Sequence, residues 1–140
     1  MPDLDPFPAR YHELLGLVLE EWRDGYARLA CEIGAQHGNR SGIAHGGVLL
    51  SMIDQAGAYA GLWCATPGHL RKAVTVDLDC RFTGQVGHGR IYAEGRVATR
   101  GRKIFFTRTE IFDAAGNMVA FGAGTHRYRE GSEGTEGVPA

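Results

Sequence analysis

The residues of this chain that are best suited to chemistry lie between His45 and Asp54. Asp54 is the only charged residue in the apolar segment that begins with the glycine pair after His45. It is too far into the segment to cap a helix, and burying a lone carboxylate costs several kcal/mol. Asp54 could therefore be a nucleophile or general base in a cleft at a subunit contact. A structural ion pair with an arginine, or an exposed helix edge, would also explain it.

The glycine pair Gly46-Gly47 suits the start of a helix that a ligand approaches closely. Without side chains, the first free backbone N–H groups and the positive end of the helix dipole can polarise a carbonyl oxygen. A tight turn between loop and helix is the alternative explanation. His45 invites an acid–base role, but its place before the glycines also fits a residue that caps or braces the loop. No histidine is spaced for a metal-type pair with Asp54, so no metal is expected.

These residues need a scaffold, and the pattern predicts one long helix beside a sheet. Gly46 to Leu62 is apolar on nearly every side of a helical wheel, which predicts a buried helix. A shorter helix is expected at Ala9 to Leu17, and nearly all of the second half reads as strand. Short links between the strands favour antiparallel neighbours. The predicted strands cover 18–33 with a turn at Asp24-Gly25, then 74–82, 90–100, 103–112 and 118–128.

The bulk properties describe one ordinary domain. The chain has 140 residues and a formal net charge of −1, so no overall field attracts nucleic acid or an anionic membrane. No apolar run is long enough to span a bilayer, and the N-terminus does not read as a signal peptide. Three widely spaced cysteines are interpreted as small buried residues in a reducing cytoplasm. We expect one domain over residues 1–128 and a frayed, glycine-rich acidic tail over residues 129–140.

The spacing Asn39-x-x-Gly42-x-x-His45-Gly46-Gly47, with Asp54 seven positions after Gly47, resembles a known signature. It is similar to that of the hotdog-fold thioesterases of the phenylacetate-degradation (PaaI-like) type. The resemblance covers roughly residues 14–128 and includes Leu14-Leu15-Gly16-Leu17, Val74-Thr75-Val76-Asp77-Leu78 and Gly101-Arg102-Lys103. It implies an α+β hotdog fold, in which an antiparallel sheet of five to six strands wraps around a long central helix.

The resemblance also implies roles for individual residues. Asp54 would be the catalytic carboxylate, as nucleophile or as base on water, and Gly46 would offer its N–H to the thioester carbonyl. Asn39 would position the acyl group or the water, and Thr75 would hydrogen-bond the water or the carboxylate. His45 belongs to the same signature. The substrate would be an acyl-CoA and no separate cofactor would be needed. In the family, the active site joins two subunits of a homodimer, and two dimers commonly form a tetramer.

Coenzyme A brings phosphates that need cationic or backbone partners. The basic hairpin Arg100-Gly101-Arg102-Lys103 could bind them through charge and bidentate contacts, although a solvated loop would look the same. Gly47 is expected beside the substrate. In relatives the loop that contains Phe82 and Thr83 lies near the coenzyme. This chain lacks the proline that the family often has there.

Two other functions fit the same residues. One is a non-catalytic domain that binds or senses acyl-CoA, although a binder has little use for a costly buried carboxylate. The other is a dehydratase or hydratase of acyl thioesters. The nine-residue separation of His45 and Asp54, with the glycines between them, matches the thioesterase pattern better. The identity of the acyl group is open.

Overall fold

One antiparallel sheet with a long helix across it accounts for most of the chain, as the sequence predicts. The computed structural model describes residues 3–140. The helices are α1 (Arg10–Leu15) and α2 (Gly46–Gly61), and a 3₁₀ turn covers Ala35–His37. The strands are β1 (Leu17–Arg23), β2 (Tyr26–Ile33), β3 (His69–Leu70), β4 (Ala73–Leu78), β5 (Arg81–Phe82), β6 (Gly89–Arg100), β7 (Ile104–Phe112), β8 (Met118–Tyr128) and β9 (Val138–Pro139).

The main sheet has seven strands, which is more than the five to six predicted. Six of them follow the order β1-β2-β6-β7-β8-β4, and β5 pairs with β8 further along the same side. All pairings in this order are antiparallel. β1 and β4 stand at its two ends and therefore form edges of the sheet. The predicted single strand over 74–82 is divided into β4 and β5. The reason is Asp79, whose N–H bonds the carbonyl of Ala123 at 3.0 Å while its carboxylate accepts the N–H of Ala123 at 3.2 Å.

The core lies between α2 and one face of the sheet. Gly95 of β6 sits so close to α2 that an added Cβ would collide with the backbone carbonyl of Ala56, and Gly57 meets Thr107 in the same way. One side of α2 stays open in the single chain, where Leu50 is 37% exposed. Within residues 3–140, no helix combines the length and apolar character needed to cross a membrane. The buried residues of α2 are Val48, Leu49, Met52, Ile53, Ala56, Gly57, Tyr59, Ala60 and Gly61.

The C-terminal segment corrects one prediction, because residues 129–140 are not frayed. β9 pairs with β3, and Ser132 is buried. The guanidinium of Arg71, itself buried, donates to the carbonyls of Trp63, Ser132 and Glu133 at 2.9–3.1 Å. A buried cation must find acceptors, and the backbone of the tail supplies two of the three. Composition alone gave no sign of this anchor.

Candidate active site

Asp54 lies half-buried on α2, two turns after the helix begins, and both carboxylate oxygens are held by neutral donors. The hydroxyl of Thr75, on β4, donates to Oδ1 at 2.6 Å. The side-chain amide of Gln55 donates to Oδ2 at 2.9 Å. Among residues 3–140, no lysine or arginine nitrogen lies within 4 Å of this carboxylate. Within the described residues of one chain, Asp54 therefore has no ion-pair partner, and its carboxylate keeps lone pairs for a reacting proton or carbon.

A fully buried histidine stands behind Thr75. Nδ1 of His126, on β8, lies 3.1 Å from the Thr75 hydroxyl, and its Nε2 lies 3.3 Å from the hydroxyl of Thr107. Since Thr75 gives its proton to Asp54, its oxygen accepts from the N–H of His126. Burial lowers the pKa of His126, and the nearby charge of Asp54 opposes that shift only in part. The ring is thus a neutral donor that fixes the orientation of Thr75.

His126 was not singled out from the sequence, although a signal was present. Along β8, the residues at 120, 122, 124, 126 and 128 are buried and face α2. His126 is the one ionisable side chain before Tyr128 on that inward face. A polar ring on a buried strand face needs a partner, and the partner here is the residue next to the carboxylate.

His45 caps α2, which is the second of the two roles considered for it. Its Nδ1 accepts the N–H of Gly47 at 3.0 Å, and its own N–H bonds the carbonyl of His37 at 2.7 Å. The ring is exposed. The cap consumes the N–H of Gly47 and one ring nitrogen of His45. A direct part for His45 in catalysis stays a prediction.

The N–H of Gly46 is left free at the start of the helix. It has no hydrogen-bond acceptor among residues 3–140. The ring of Phe82 covers the residue so closely that an added Cβ would lie 3.1 Å from its Cζ. A cavity of about 400 Å³ opens here and brings together four of the residues predicted to form the site. They are Asn39, Gly46, Phe82 and Thr83.

Asn39 shapes the loop that leads into this cavity. Its side-chain oxygen accepts the backbone N–H groups of Ser41 at 2.8 Å and Ile43 at 3.3 Å. The amide nitrogen of Asn39 has no partner within the described part of the chain, residues 3–140. Asn39 can therefore hold the loop with its oxygen and donate to a bound oxygen with its nitrogen.

Within one chain, Gly46 and Asp54 are too far apart to act on the same bond. Eight residues separate them on one helix. That spacing is about 12 Å along the axis. A carbonyl-binding donor and a nucleophile or base must both approach within about 3 Å of the same reacting group. If both groups act on one bond, a single chain holds two half-sites rather than one complete site.

The basic residues of the hairpin lie in two different environments. Arg100 forms an ion pair with Asp24 of the β1–β2 turn at 3.0 Å. Arg102 and Lys103 instead line an open cavity of about 680 Å³ that begins at Val74, next to Thr75. Two further cations line this cavity, Arg127 and Arg129, and they were not predicted from the sequence because they lie at the end of another strand. Glu130 and Glu133 complete the charged lining.

No metal centre accompanies these groups in the part of the chain that the structure describes. There, over residues 3–140, no three side chains of histidine, cysteine, aspartate or glutamate come together in a way that could hold an ion.

Comparisons with known protein families and structures identify the family of this chain. Residues 41–120 match the family described as the thioesterase superfamily, and the chain belongs to that family. Its fold is the hotdog fold, as the resemblance implied. The matched region contains Gly46, Asp54 and Thr75. The class of protein that fold and family define is therefore a hydrolase of the hotdog-fold thioesterase type.

Three individual proteins are similar to this chain over most of their length. A candidate esterase of Saccharolobus solfataricus is 30% identical over 123 residues, which are 87% of this chain and 80% of that protein. The PaaI protein of the phenylacetic acid degradation operon of E. coli is 26% identical, with a TM-score of 0.78 over 89% of this chain and 87% of that one. A single-residue variant of PaaI from Thermus thermophilus is 28% identical, with a TM-score of 0.74 over 85% and 98%.

Proposed function

We propose that this chain hydrolyses acyl-CoA thioesters, with Asp54 as the reacting carboxylate and the Gly46 N–H as the carbonyl donor. The observation that carries the proposal is a carboxylate without a cationic partner, whose two oxygens are oriented by Thr75 and Gln55. A structural carboxylate in an apolar setting would need a counter-charge, whereas a reacting carboxylate needs orientation and a free lone pair. The resemblance to PaaI-type proteins supports the choice of thioester.

The reaction can be written with the groups at hand. The thioester carbonyl accepts the Gly46 N–H, and the amide nitrogen of Asn39 is placed to assist. Asp54 takes a proton from water as the water attacks the carbonyl carbon, and the Gly46 N–H stabilises the oxyanion that forms. The oxyanion collapses and expels CoA as a thiolate, which then collects the proton. In the nucleophilic variant, Asp54 attacks first and water then hydrolyses the anhydride. Label in Asp54 after a single turnover in ¹⁸O-labelled water would establish the anhydride route, because general-base hydrolysis places the labelled oxygen only in the product acid.

Each complete site would use two copies of the chain. The half-sites are too far apart in one copy, and β4 offers an unpaired strand edge beside the open side of α2. On that edge Val74 is 41% and Val76 62% exposed. An apolar strand edge of this kind is suited to pairing with a second copy. We infer a homodimer in which Gly46 of one subunit faces Asp54 of the other.

A second contact could join two dimers on the opposite face of the sheet. There Phe106 of β7 and Phe121 of β8 point away from α2 and are 44% and 39% exposed. Together with Ile104 they make the outer face apolar enough for association. Sedimentation of the purified chain distinguishes monomer, dimer and tetramer, and Phe121→Asp should yield dimers that keep their activity if this face joins dimers.

Coenzyme A would reach along β4 to the cationic cavity. Donors for phosphate oxygens there come from four cations, Arg102, Lys103, Arg127 and Arg129. The cavity begins at Val74, the neighbour of Thr75. Arg127→Ala should raise KM and leave kcat nearly unchanged, because it removes binding that is equal in ground and transition states. Arg100→Ala is the matched control, since Arg100 is occupied by Asp24.

The primary test is release of free thiol from a panel of acyl-CoAs. Asp54→Asn keeps the shape of the side chain and should lose most of the rate without loss of folding. Normal hydrolysis by this variant would refute the mechanism. Tight binding of acyl-CoA without thiol release would favour the non-catalytic alternative. Loss of the conjugated absorbance of an enoyl-CoA would favour the hydratase.

The Gly46 N–H can be removed without disturbing the helix. Gly46 is the first helical residue, where proline is well tolerated, and His45 has the extended ψ of 138° that a residue before proline requires. Gly46→Pro should lower kcat by about 10²- to 10³-fold, as for the loss of an oxyanion donor. Gly46→Ala is the control, because it adds a Cβ against Phe82 but keeps the N–H.

Mixing the two inactive variants tests the shared site. If Gly46 and Asp54 of different subunits form each site, a heterodimer of Gly46→Pro and Asp54→Asn contains one intact site and one doubly altered site. Random reassociation should therefore recover about a quarter of the wild-type activity. No recovery, with subunit exchange verified, would show that each subunit works alone.

A further inference from the structure

A row of side-chain hydrogen bonds leads from Asp54 to the N-terminal segment. The amide nitrogen of Gln55 donates to Oδ2 of Asp54 at 2.9 Å, and its amide oxygen lies 2.7 Å from Nε2 of His12. His12 belongs to α1 and is only 7% exposed. The contact joins residues 43 positions apart in the chain.

The direction of each bond follows from the carboxylate. An ionised carboxylate can only accept, so the amide nitrogen of Gln55 must face Asp54 and its oxygen must face His12. Nε2 of His12 then has to donate. The orientation of Gln55, and with it the second anchor of Asp54, therefore depends on the N–H of a residue on another helix.

The second ring nitrogen of His12 also has a polar neighbour. Its Nδ1 lies 3.0 Å from the hydroxyl of Tyr59, and the two rings are 5.6 Å apart. The Tyr59 hydroxyl also lies within hydrogen-bond distance of the carboxylate of Asp5. Burial, followed by the bond to Asp5, raises the pKa of Tyr59, which stays a phenol. Asp5 in turn accepts the N–H of Phe7 at 2.8 Å, which ties the row to the backbone of the N-terminal segment.

We propose that Gln55 and His12 are positioning residues for Asp54. This inference rests on the proposed function. Thr75 donates a hydrogen bond to Oδ1 of the carboxylate and is itself in contact with His126. Gln55 donates to Oδ2 and is itself in contact with His12. Without the donor on His12, the Gln55 amide is free to turn its oxygen towards Asp54, which replaces an attraction with a repulsion. The N-terminal segment is then part of the catalytic apparatus although it contributes no group that contacts the substrate.

A purely structural explanation makes different predictions. The same bonds would then only attach α1 to α2, as does the hydrogen bond between the hydroxyls of Tyr11 and Ser51 at 2.7 Å. Tyr11→Phe removes that second attachment without touching the row to Asp54. It is the matched control for the loss of a contact between the two helices.

The variants separate attachment from positioning. Gln55→Glu keeps an acceptor for His12 but sets a second carboxylate against Asp54. His12→Phe keeps a ring beside Tyr59 but removes the donor, and His12→Gln restores a donor near the place of Nε2. Two measurements are made on the full chain. One is the titration of the Asp54 carboxyl carbon by NMR, assigned with Asp54→Asn. The other is the pH dependence of kcat for acyl-CoA hydrolysis.

The expected results are specific. In Gln55→Glu, the titration midpoint of the Asp54 carboxyl and the acidic limb of the kcat profile should both move up by about one pH unit or more, because like charges at contact disfavour ionisation. His12→Phe should lower kcat about 5- to 10-fold at unchanged KM, as expected for one lost hydrogen bond. His12→Gln should recover most of that loss, and Tyr11→Phe should not move the carboxyl titration.

The inference is overturned if the Asp54 titration in Gln55→Glu stays at the wild-type midpoint. It is also overturned if His12→Phe behaves as Tyr11→Phe does. The carboxyl titration requires no turnover, so it decides the inference even if the chain releases no thiol from any acyl-CoA. The absence of thiol release would count against the proposed function alone. Conversely, an active chain with an unmoved titration would keep the function and remove the positioning role.

Discussion

Replacement of Thr75 by valine tests how much of the reaction depends on an oriented carboxylate. Valine keeps the branched shape that suits a strand, and loses only the hydroxyl that donates to Asp54 at 2.6 Å. The same change removes the acceptor for the buried N–H of His126. The substitution therefore acts on two groups, and the two effects appear in different measurements.

The size of each effect can be worked out. A hydrogen bond to a charged group contributes about 1.5–3 kcal/mol, and the lower value applies here because Thr75 is exposed in the single chain. If that loss falls only on the transition state, because the carboxylate is no longer aimed at the reacting group, it corresponds to about a 10-fold fall in kcat. The unsatisfied N–H of His126 costs about 1–3 kcal/mol of folding free energy, since His126 is 0% exposed.

Steady-state thiol release gives kcat, and urea denaturation gives the free energy of unfolding. Thr75→Ser keeps the hydroxyl and should resemble the wild type in both. The double variant Thr75→Val with His126→Phe removes the stranded N–H, and phenylalanine can stack on Phe105 as the histidine ring does at 4.9 Å. It should regain stability but not rate. Equal kcat for Thr75→Val and Thr75→Ser would refute the idea that Thr75 orients Asp54.

Three further changes should have effects of known direction. Gly57→Ala should lower the free energy of unfolding by about 1–3 kcal/mol, because its Cβ would lie 2.5 Å from the Thr107 hydroxyl, and a lower urea midpoint would reveal it. Burial lowers the native pKa of His126 below its ordinary 6.5, so the unfolded chain binds the proton first. The free energy of unfolding should therefore decline as the pH falls below about 6.5 and level off below the native pKa, and His126→Phe should lessen this decline in urea titrations. Arg71→Met removes the donor to three carbonyls and should make residues 129–140 sensitive to limited proteolysis, where an unchanged cleavage rate would contradict the anchor.

The sequence predicted the long helix and the long strands, and it contained the residues of the signature. The turns at Gly101 and at Ala115-Gly116-Asn117 predict the strands that follow them, and in the structure β7 and β8 bury about every second side chain, as strands that cover a core must. The apolar segment after Gly46 predicts α2, since one isolated charge among apolar residues is typical of a buried helix with a special position. Thr75 was linked with Asp54 only through the family resemblance. In the structure its hydroxyl donates to that carboxylate.

Contacts between distant parts of the chain could not be predicted in this way. His12 and His126 flank the carboxylate from α1 and β8, yet each is an isolated polar residue in the sequence. The anchoring of residues 129–140 depends on Arg71, whose acceptors are backbone carbonyls that carry no signature in the sequence.

The sequence by itself thus determined the choice of the two groups that we propose to react, Asp54 and the Gly46 N–H, because their types and spacing on one helix are local properties. Only the tertiary structure decided what holds them. The hydrogen bonds that orient Asp54 come from β4 and from the side chain of its neighbour Gln55, and the backing histidines come from β8 and α1. Such bonds depend on which strands lie side by side and which faces meet, and the packing of the whole chain against α2 sets that arrangement.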